Sequence, residues 1–133
     1  MPVADTELLF ALNPRDPKHH HALERLKRMS NVVVPDTSTL EFQMVLRGRG
    51  RRAGQVRDAM LALHEALRRM NAREERTMSI ALLALQCDLE ESHGLTYFDS
   101  LIAASALTLD GEIISDDTAF DKIPSLRRIP LSI

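Results

Sequence analysis

The sequence is poor in the residues that build disulfides, cysteine-rich metal sites and aromatic cores. It contains no tryptophan, one tyrosine and one cysteine among 133 residues. Cys87 alone cannot form an internal disulfide or a cysteine-rich zinc site, and we interpret it as a small core residue. Other residues assigned to the core are Met29, Met44, Met60, Met70, Met78, Tyr97 and Phe98.

Long apolar runs and a large net charge are also missing. The longest apolar run, residues 80–85, is too short to span a bilayer. The opening segment 1–5 has neither a basic start nor an apolar signal core, so we expect a cytoplasmic protein without membrane segments. A net charge of −2 argues against a wholly basic nucleic-acid coat protein, and any contact with nucleic acid must come from a local patch. No phosphate-binding or dinucleotide-binding glycine motif is present.

What the sequence does contain is an alternation of short strands and amphipathic helices. The expected strands cover residues 1–4, 32–34, 112–115 and 129–131. The expected helices cover residues 6–12, 16–29, 38–47, 54–70 and 79–93, with a last helix that opens at residue 96. This alternation predicts one α/β domain over residues 1–133, with a mostly parallel sheet of four to five strands and helices on both faces.

Four acidic residues fall where such a sheet binds ligands, outside the carboxyl ends of its strands. Asp5 follows the first strand, Asp117 follows the strand that ends at Ser115, and Glu41 lies in the first turn of the helix after residue 34. Asp99 opens a later helix that can face the same edge. Crowded carboxylates repel each other unless a cation joins them, and Mg²⁺ or Mn²⁺ prefers such oxygen ligands.

Each acid taken alone also has an ordinary structural interpretation. Glu41 can complete a capping box with Ser38, and Asp99 can do the same with Thr96. The other two acids fit ordinary loops, in which aspartate is common. Their joint placement at one sheet edge is the stronger evidence for a metal site.

Four segments resemble the motifs of the PIN domain family, especially the single-domain toxins of VapBC-type toxin–antitoxin pairs. The first is Val3-Ala4-Asp5-Thr6, and the second is Ser38-Thr39-Leu40-Glu41. The third and most specific is residues 94–104, Gly-Leu-Thr-Tyr-Phe-Asp-Ser-Leu-Ile-Ala-Ala. The fourth is residues 114–121, in which Asp117 lies three residues before a phenylalanine. The match covers nearly the whole chain in order.

The resemblance implies a ribonuclease that hydrolyses RNA phosphodiester bonds with Mg²⁺ or Mn²⁺. It implies that Asp5, Asp99 and Asp117 hold the metal, and that Glu41 completes the catalytic site. It further implies that the hydroxyl groups of two neighbours, Thr6 and Ser115, orient ligands or waters. Homodimers are frequent in the family, and the toxin branch has a small antitoxin protein as partner.

The sequence departs from the family pattern at several positions. The expected third strand falls near residues 73–78, Arg-Glu-Glu-Arg-Thr-Met, which barely resemble a strand. Ser115 stands where threonine is more common, and Ala119 replaces an acid. A catalytically silent PIN-fold binding module, acting through protein or RNA contacts, is therefore the alternative. A receiver-like phosphoacceptor domain ranks below both, because Lys122 is its only late lysine.

A run of basic residues offers the local patch that an RNA-binding enzyme of this net charge needs. The candidates for binding the phosphate backbone are Arg47, Arg49, Arg51 and Arg52. A solvated loop without a ligand remains the other interpretation of this segment. The three consecutive histidines, His19 to His21, look like a metal cluster, but adjacent residues on a helix do not face each other. We expect them on a surface helix.

Overall fold

A parallel sheet with buried central strands forms the middle of the molecule. The computed structural model describes all 133 residues. Its strands are β1 (Val3–Ala4), β2 (Val33–Pro35), β3 (Arg73–Glu75), β4 (Glu112–Ile114) and β5 (Arg127–Ile129). They lie in the order β3-β2-β1-β4-β5, and every neighbouring pair is parallel. The predicted α/β class and the mostly parallel sheet are therefore confirmed.

Six α-helices connect the strands. They are α1 (Thr6–Ala11), α2 (His19–Arg28), α3 (Asp36–Gly48), α4 (Ala53–Arg69), α5 (Ile80–His93) and α6 (Tyr97–Thr108). A short 3₁₀ helix, Thr118–Lys122, follows β4. No helix combines the length and the hydrophobicity that a membrane crossing requires.

Successive residues of each central strand face opposite sides of the sheet, as the two-residue period of a strand requires. Val3, Val33 and Ile113 belong to a buried cluster with the residues of α5 and α6. Their neighbours Ala4 and Ile114 belong to a second cluster, with the residues of α1 to α4. Helices therefore cover both faces, which explains why residues 32–34 are a continuous run of valine.

The strand order does not fit the receiver-like interpretation. A receiver-like sheet of the flavodoxin type has the order 2-1-3-4-5, whereas this sheet has the order 3-2-1-4-5. The reversal of strand order falls here between β1 and β4, and it marks the point at which open α/β sheets bind their ligands.

Element boundaries differ from the predicted ones where loop hydrogen bonds compete with the regular elements. The expected helix start at Asp16 is wrong, because its carboxylate accepts the Lys18 N–H at 2.8 Å and forms a turn, and α2 begins three residues later. The last strand ends at Ile129 rather than continuing to residue 131. Pro130 has no N–H for the ladder, and the Leu131 N–H donates to Asp116 at 2.8 Å.

Three of the predicted helix ends are confirmed in detail. The Ser79 side chain accepts the Leu82 N–H and caps α5, and Gly94 ends that helix in the left-handed conformation with φ 65°. The Thr96 side chain accepts the Asp99 N–H and caps α6. These caps fix the start of α6, and with it the position of Asp99 at the carboxyl edge of the sheet.

Four of the residues assigned to the core are exposed, and those assignments are wrong. Met44 is 48% exposed, Met78 40% and Tyr97 53%, and Cys87 is also at the surface. Leucine, isoleucine and alanine side chains from the interior-facing side of α5 and α6 fill the space instead. Helical spacing does not distinguish a buried apolar face from an exposed one, because both repeat with the same period.

An aspartate at the carboxyl end of β2 holds the edge strand β3 in place. The Asp36 carboxylate accepts the Thr77 N–H at 3.0 Å, the Thr77 hydroxyl at 2.8 Å and the Met78 N–H at 3.1 Å. The Thr77 hydroxyl also contacts the Ser105 hydroxyl at 2.8 Å, inside the core. The chain after β3 is thereby fixed to α3 and α6, which compensates for a strand with almost no apolar residues.

We expect Asp36→Ala to lower the free energy of unfolding by about 1–3 kcal/mol, because three donors, two of them on buried Thr77, lose their acceptor. Urea unfolding followed by circular dichroism measures this change. Asp58→Ala removes a carboxylate that pairs only with exposed Arg57, and it should change stability by less than about 0.5 kcal/mol. Equal effects of the two substitutions would contradict the role given to Asp36.

Candidate active site

Asp5 lies at the carboxyl end of β1, between β1 and β4. The residue is buried, and its side chain caps α1 by accepting the Thr6 N–H at 2.8 Å. Its second carboxylate oxygen accepts the Ser115 hydroxyl at 2.6 Å. Because Ser115 follows β4 directly, these two bonds fix the carboxylate at the point where the strand order reverses.

Glu41 reaches the same place from α3. Its carboxylate accepts the Thr6 hydroxyl. The prediction that it lies in the first turn of its helix is wrong, because α3 begins at Asp36, directly after Pro35. The capping box with Ser38 is also wrong, since the Ser38 hydroxyl donates to the Ala4 carbonyl at 2.7 Å. The Glu41 carboxylate is therefore not needed to cap the helix.

Asp117 enters from the loop after β4. Its N–H donates to the Ser115 hydroxyl at 3.0 Å, so this one hydroxyl bonds to both Asp5 and Asp117. The Asp117 carboxylate accepts the Ala119 N–H at 2.9 Å and caps the 3₁₀ helix. The predicted role as a turn residue therefore explains one hydrogen bond of the Asp117 carboxylate. The rest of this exposed carboxylate faces solvent, near Asp99.

The pKa values of three of these acids show that the carboxylates interact electrostatically. Burial raises the pKa of Asp5 to about 7, against the opposing hydrogen bonds from Ser115 and Thr6, and the negative charges of Glu7 and, to a smaller extent, Asp99 add to the rise. Burial raises the pKa of Glu41, and the charge of Asp99 raises it further. These two residues therefore both lie within electrostatic reach of Asp99.

Asp99 is the residue that couples the group. Burial raises its pKa, the charge of Asp117 raises it further, and the positive charge of Lys122 acts in the opposite direction. Asp99 thus interacts with Asp5, Glu41 and Asp117, the three other predicted site acids. Hydrogen bonds through Thr6 and Ser115 join Asp5 to Glu41 and to Asp117, and Asp99 lies within electrostatic reach of all three.

The donor set suits a hard divalent cation. None of the four acids forms an ion pair with a lysine or arginine, and carboxylate and hydroxyl oxygens are the ligands that Mg²⁺ prefers. The side chains are coupled but not closed into a cage, since no group of three acids, histidines or cysteines stands ready to hold a metal. Mg²⁺ usually retains several waters and needs only one or two direct carboxylates, so an open arrangement fits it.

Two acids beside the site have structural tasks. Glu7, which the sequence did not single out, accepts the Asp116 N–H and lies 3.6 Å from the Lys18 ammonium. The Asp116 carboxylate binds Lys18 at 2.7 Å and accepts the Ser132 N–H at 3.0 Å. Although burial acts to raise the pKa of Asp116, the bonds from Lys18 and Ser132 hold it well below its usual range. Glu7 immediately follows the Asp5–Thr6 motif in the sequence, but its hydrogen bond with Asp116 depends on the fold and leaves no sequence signal.

The basic loop lies to one side of the acids. None of its four arginines forms an ion pair with a carboxylate, whereas Arg57, Arg68 and Arg127 elsewhere on the surface all do. The Arg49 guanidinium lies over the Phe10 ring, 4.9 Å from its centroid. Arg49 also lines a cavity of about 320 Å³ together with Glu7, whose charge acts on Asp5. The loop therefore reaches the flank of the acid site.

The three histidines have neighbours within the protein. His19 Nδ1 lies 2.8 Å from the Ala11 carbonyl oxygen, and His21 Nδ1 accepts the Ile133 N–H at 3.0 Å. The rings of His20 and His21 are 6.0 Å apart and tilted. These contacts attach the start of α2 to α1 and to the last residue of the chain.

Because burial raises the pKa of Asp5 to about 7, we expect the metal-free chain to lose stability as the pH rises from about 4 to about 7. In this range the folded state retains the Asp5 proton and the unfolded chain, with an ordinary aspartate pKa, has released it. The folded state therefore binds more protons, and a rise in pH lowers the free energy of unfolding by an amount on the order of a few kcal/mol.

Urea unfolding in the presence of a chelator, repeated across this pH range, measures that slope. Asp5→Asn should flatten it, and Asp88→Asn, on the exposed surface of α5, should leave it unchanged. Because the pKa of Asp116 is lowered, this residue changes the stability only below about pH 4, outside the measured range. A slope that is the same in the wild type and Asp5→Asn would contradict the buried, proton-retaining state of Asp5.

Solved structures of toxin–antitoxin systems share this fold. A toxin–antitoxin complex from Klebsiella pneumoniae matches with a TM-score of 0.67 and 18% identity, over 95% of either chain. VapBC2 from Rickettsia felis, bound to a DNA fragment from its promoter, matches with a TM-score of 0.66 and 18% identity, over 96% of either chain. VapC20 from Mycobacterium tuberculosis, a toxin that cleaves the sarcin–ricin loop, matches with a TM-score of 0.67 and 21% identity, over 91% of this chain and 93% of that one.

No curated protein matches the sequence. The PIN domain family, by contrast, matches residues 3–126, a span that contains all four acids and every strand except the last. The sheet topology, the acids at its carboxyl edge and this match agree with one another, and the chain belongs to the PIN domain family.

Proposed function

We propose that this PIN domain is an endoribonuclease that hydrolyses RNA phosphodiester bonds with the help of Mg²⁺ or Mn²⁺. The observation that carries the proposal is the convergence of Asp5, Glu41, Asp99 and Asp117 without any paired cation. Burial is the main cause of the raised pKa of three of them, and the negative charge of a neighbouring acid adds to it in each, so a divalent ion would favour their ionised forms.

In this proposal Asp5, Asp99 and Asp117 hold the ion, and Glu41 completes the site directly or through water. A divalent ion bound there would activate a water as nucleophile and stabilise the charge that develops on the phosphate. Asp5 would give up its proton when the ion binds, because a carboxylate must be ionised to act as a ligand.

The neighbouring hydroxyl groups have positioning tasks. Ser115 donates to Asp5 and accepts the Asp117 N–H, so it keeps these two acids at a fixed separation. Thr6 joins Asp5 and Glu41, since its N–H donates to the first and its hydroxyl to the second. Positions that are fixed before the substrate arrives need little reorganisation during the reaction.

RNA would lie along the basic loop, with its phosphates on Arg47, Arg49, Arg51 and Arg52. Arginines without carboxylate partners are available to phosphate oxygens, which they bind without reading the base sequence. The structural similarity to a toxin that cleaves the sarcin–ricin loop supports RNA as the substrate.

A small antitoxin protein is the proposed partner, since structural relatives include toxin–antitoxin complexes. The chain offers a groove of about 510 Å³ between α1, α3 and α4, whose floor includes Leu9, Phe42 and Leu63. Arg49 and Arg51 lie in the same groove. An apolar floor with basic residues beside it fits an amphipathic helix that carries acidic side chains.

We propose a cytoplasmic location for this pair, because the unpaired and exposed thiol of Cys87 fits a reducing compartment. The same reasoning applies to the silent-module alternative. It therefore does not distinguish an active nuclease from a binding protein, and the acid site must do so.

Asp99→Asn should reduce cleavage of total RNA in Mn²⁺ by more than about 100-fold, the upper range of the loss seen when only an outer neighbour of a metal ligand is changed. Gel analysis of RNA fragments measures the rate, and circular dichroism checks the fold. Asp88→Asn, an exposed aspartate on α5, is the matched control and should cleave at the wild-type rate.

Mn²⁺ should also raise the melting temperature of the wild type, because a ligand at about 100 times its dissociation constant stabilises the folded state by about 2.7 kcal/mol. Asp99→Asn should show no such rise. Undiminished cleavage by Asp99→Asn, or cleavage that persists in excess chelator, would refute the metal-nuclease proposal. A wild type that binds RNA but shows no rise in melting temperature with Mn²⁺ would favour the silent module.

Replacing both Arg49 and Arg51 by alanine should weaken RNA binding and reduce its dependence on salt. Each lost phosphate contact lowers the slope of log affinity against log salt by about 0.7 for single-stranded RNA. Fluorescence anisotropy of a labelled RNA in the Asp99→Asn background measures the slope without cleavage. Arg68→Ala and Arg69→Ala together remove two arginines that already pair with Glu65, and this control should leave the slope unchanged.

A further inference from the structure

Lys122 is the one lysine of the chain that pairs with no carboxylate. The chain has three lysines. Lys18 binds Asp116 at 2.7 Å, and Lys27 lies 3.9 Å from Glu24. Lys122 is exposed and takes part in no ion pair. A charged group without a partner in the protein is available to a ligand, and an ammonium group attracts anions.

The backbone beside Lys122 is held in place on both sides. Lys122 is the last residue of the 3₁₀ helix, which the Asp117 carboxylate caps at its start. Phe120, two residues earlier, is buried in the core cluster shared with α6, and so is Ile123, the next residue. The base of the Lys122 side chain is therefore fixed relative to Asp117, while the side chain itself is exposed.

The acid next to Lys122 in the sequence is already paired with another cation. The two carboxylate oxygens of Asp121 accept N–H groups of Arg128 at 3.0 and 3.2 Å. Arg128 also donates to the Ser115 carbonyl at 3.2 Å, so it ties the 3₁₀ helix to the residue that follows β4. The structural pairing in this region therefore belongs to Arg128, and it leaves Lys122 unused.

The charge of Lys122 reaches the acid site without entering it. Burial raises the pKa of Asp99 and the charge of Asp117 raises it further, while the positive charge of Lys122 lowers it. No ion pair joins Lys122 to either acid. Lys122 therefore lies beside the carboxylates and leaves the place between them free for a metal ion.

The basic loop and Lys122 lie on opposite faces of the sheet. Arg49 of the basic loop covers the ring of Phe10, which packs against the cluster formed by α1 to α4. The neighbours of Lys122, by contrast, are buried in the cluster formed with α5 and α6, on the other face. The acids lie between, at the carboxyl edge of the sheet. Unpaired cations are therefore present on either side of the acid site.

We propose that the RNA strand crosses the carboxyl edge of the sheet from the basic loop to Lys122, whose ammonium group binds a phosphate next to the one that is cleaved. This inference rests on the proposed ribonuclease function and adds the path of the substrate to it. A polyanion that passes four carboxylates is repelled unless cations hold it before and after them. The arginines of the basic loop serve on one face of the sheet, and Lys122 serves on the other.

Two other roles of Lys122 make different predictions. If Lys122 only offset the repulsion among the acids, RNA affinity would not depend on it. If it only supported the fold of the site, its loss would weaken the binding of Mn²⁺. A phosphate contact predicts that Lys122→Ala weakens RNA binding and strengthens Mn²⁺ binding, because a positive charge is removed from the neighbourhood of the ion.

Fluorescence anisotropy of a labelled single-stranded RNA, in excess chelator to prevent metal-dependent cleavage, tests the contact. Lys122→Ala should weaken binding by about 10-fold at low salt, the loss expected for one charge-assisted hydrogen bond. It should also lower the slope of log affinity against log salt by about 0.7. Lys122→Arg keeps the charge and should retain most of the affinity. Lys27→Ala, which removes an exposed lysine of α2, is the matched control and should bind like the wild type.

Calorimetric titration with Mn²⁺ alone, and cleavage kinetics, separate a phosphate contact from a structural role. Lys122→Ala should bind Mn²⁺ about 2 to 5 times more tightly than the wild type. In cleavage its KM should rise about 10-fold, while kcat stays within about twofold of the wild type. This pattern is expected for a contact that is equally strong in the ground state and the transition state.

Three results would overturn the inference. The first is a Lys122→Ala variant with the RNA affinity and salt slope of the wild type. The second is an equal loss of RNA affinity in Lys27→Ala. The third is weaker Mn²⁺ binding by Lys122→Ala, which would indicate a structural role. A wild type that binds RNA but does not cleave it would refute the nuclease alone, because the anisotropy measurement still decides the role of Lys122. A wild type without RNA affinity would overturn both.

Discussion

The structure depends on a carboxylate buried at the point where the strand order reverses. Asp5 contacts three separate elements at once, since it directly follows β1, caps α1 and accepts the hydroxyl of the residue that directly follows β4. Burying an ionisable group normally costs free energy, and here the cost takes the form of a raised pKa. Hydrogen bonds from Ser115 and Thr6 reduce that cost without removing it. The site is therefore held in a state that a cation would relieve.

The positions of the acids could be predicted from the sequence because they follow from strand ends. A residue at or shortly after the end of a parallel strand must lie near the carboxyl edge, which located Asp5, directly after β1, and Asp117, three residues after β4. Glu41 was placed correctly at this edge but one turn too early, because the helix start at Asp36 depends on Pro35 and on bonds to Thr77 rather than on the Ser38 cap. Tertiary contacts of this kind leave no local signal.

The outer surface was less predictable than the interior. Cys87, Met44 and Met78 have the spacing of core residues and were assigned to the core, yet they are exposed. The sequence records that a face is apolar, but it does not record whether the same chain or another molecule covers it. The weak strand near residues 73–78 is the opposite case, because its poor strand composition suits an edge that Asp36 holds by side-chain bonds.

The two edges of the sheet are unsuited to pairing with a strand of another molecule. Both outer strands are three residues long and carry charged side chains, Arg73, Glu74 and Glu75 at one end and Arg127 and Arg128 at the other. Short, charged edges resist the addition of another strand, because a newcomer would have to desolvate those charges. The chain is thus protected against the open-ended stacking that leads to aggregates and fibres.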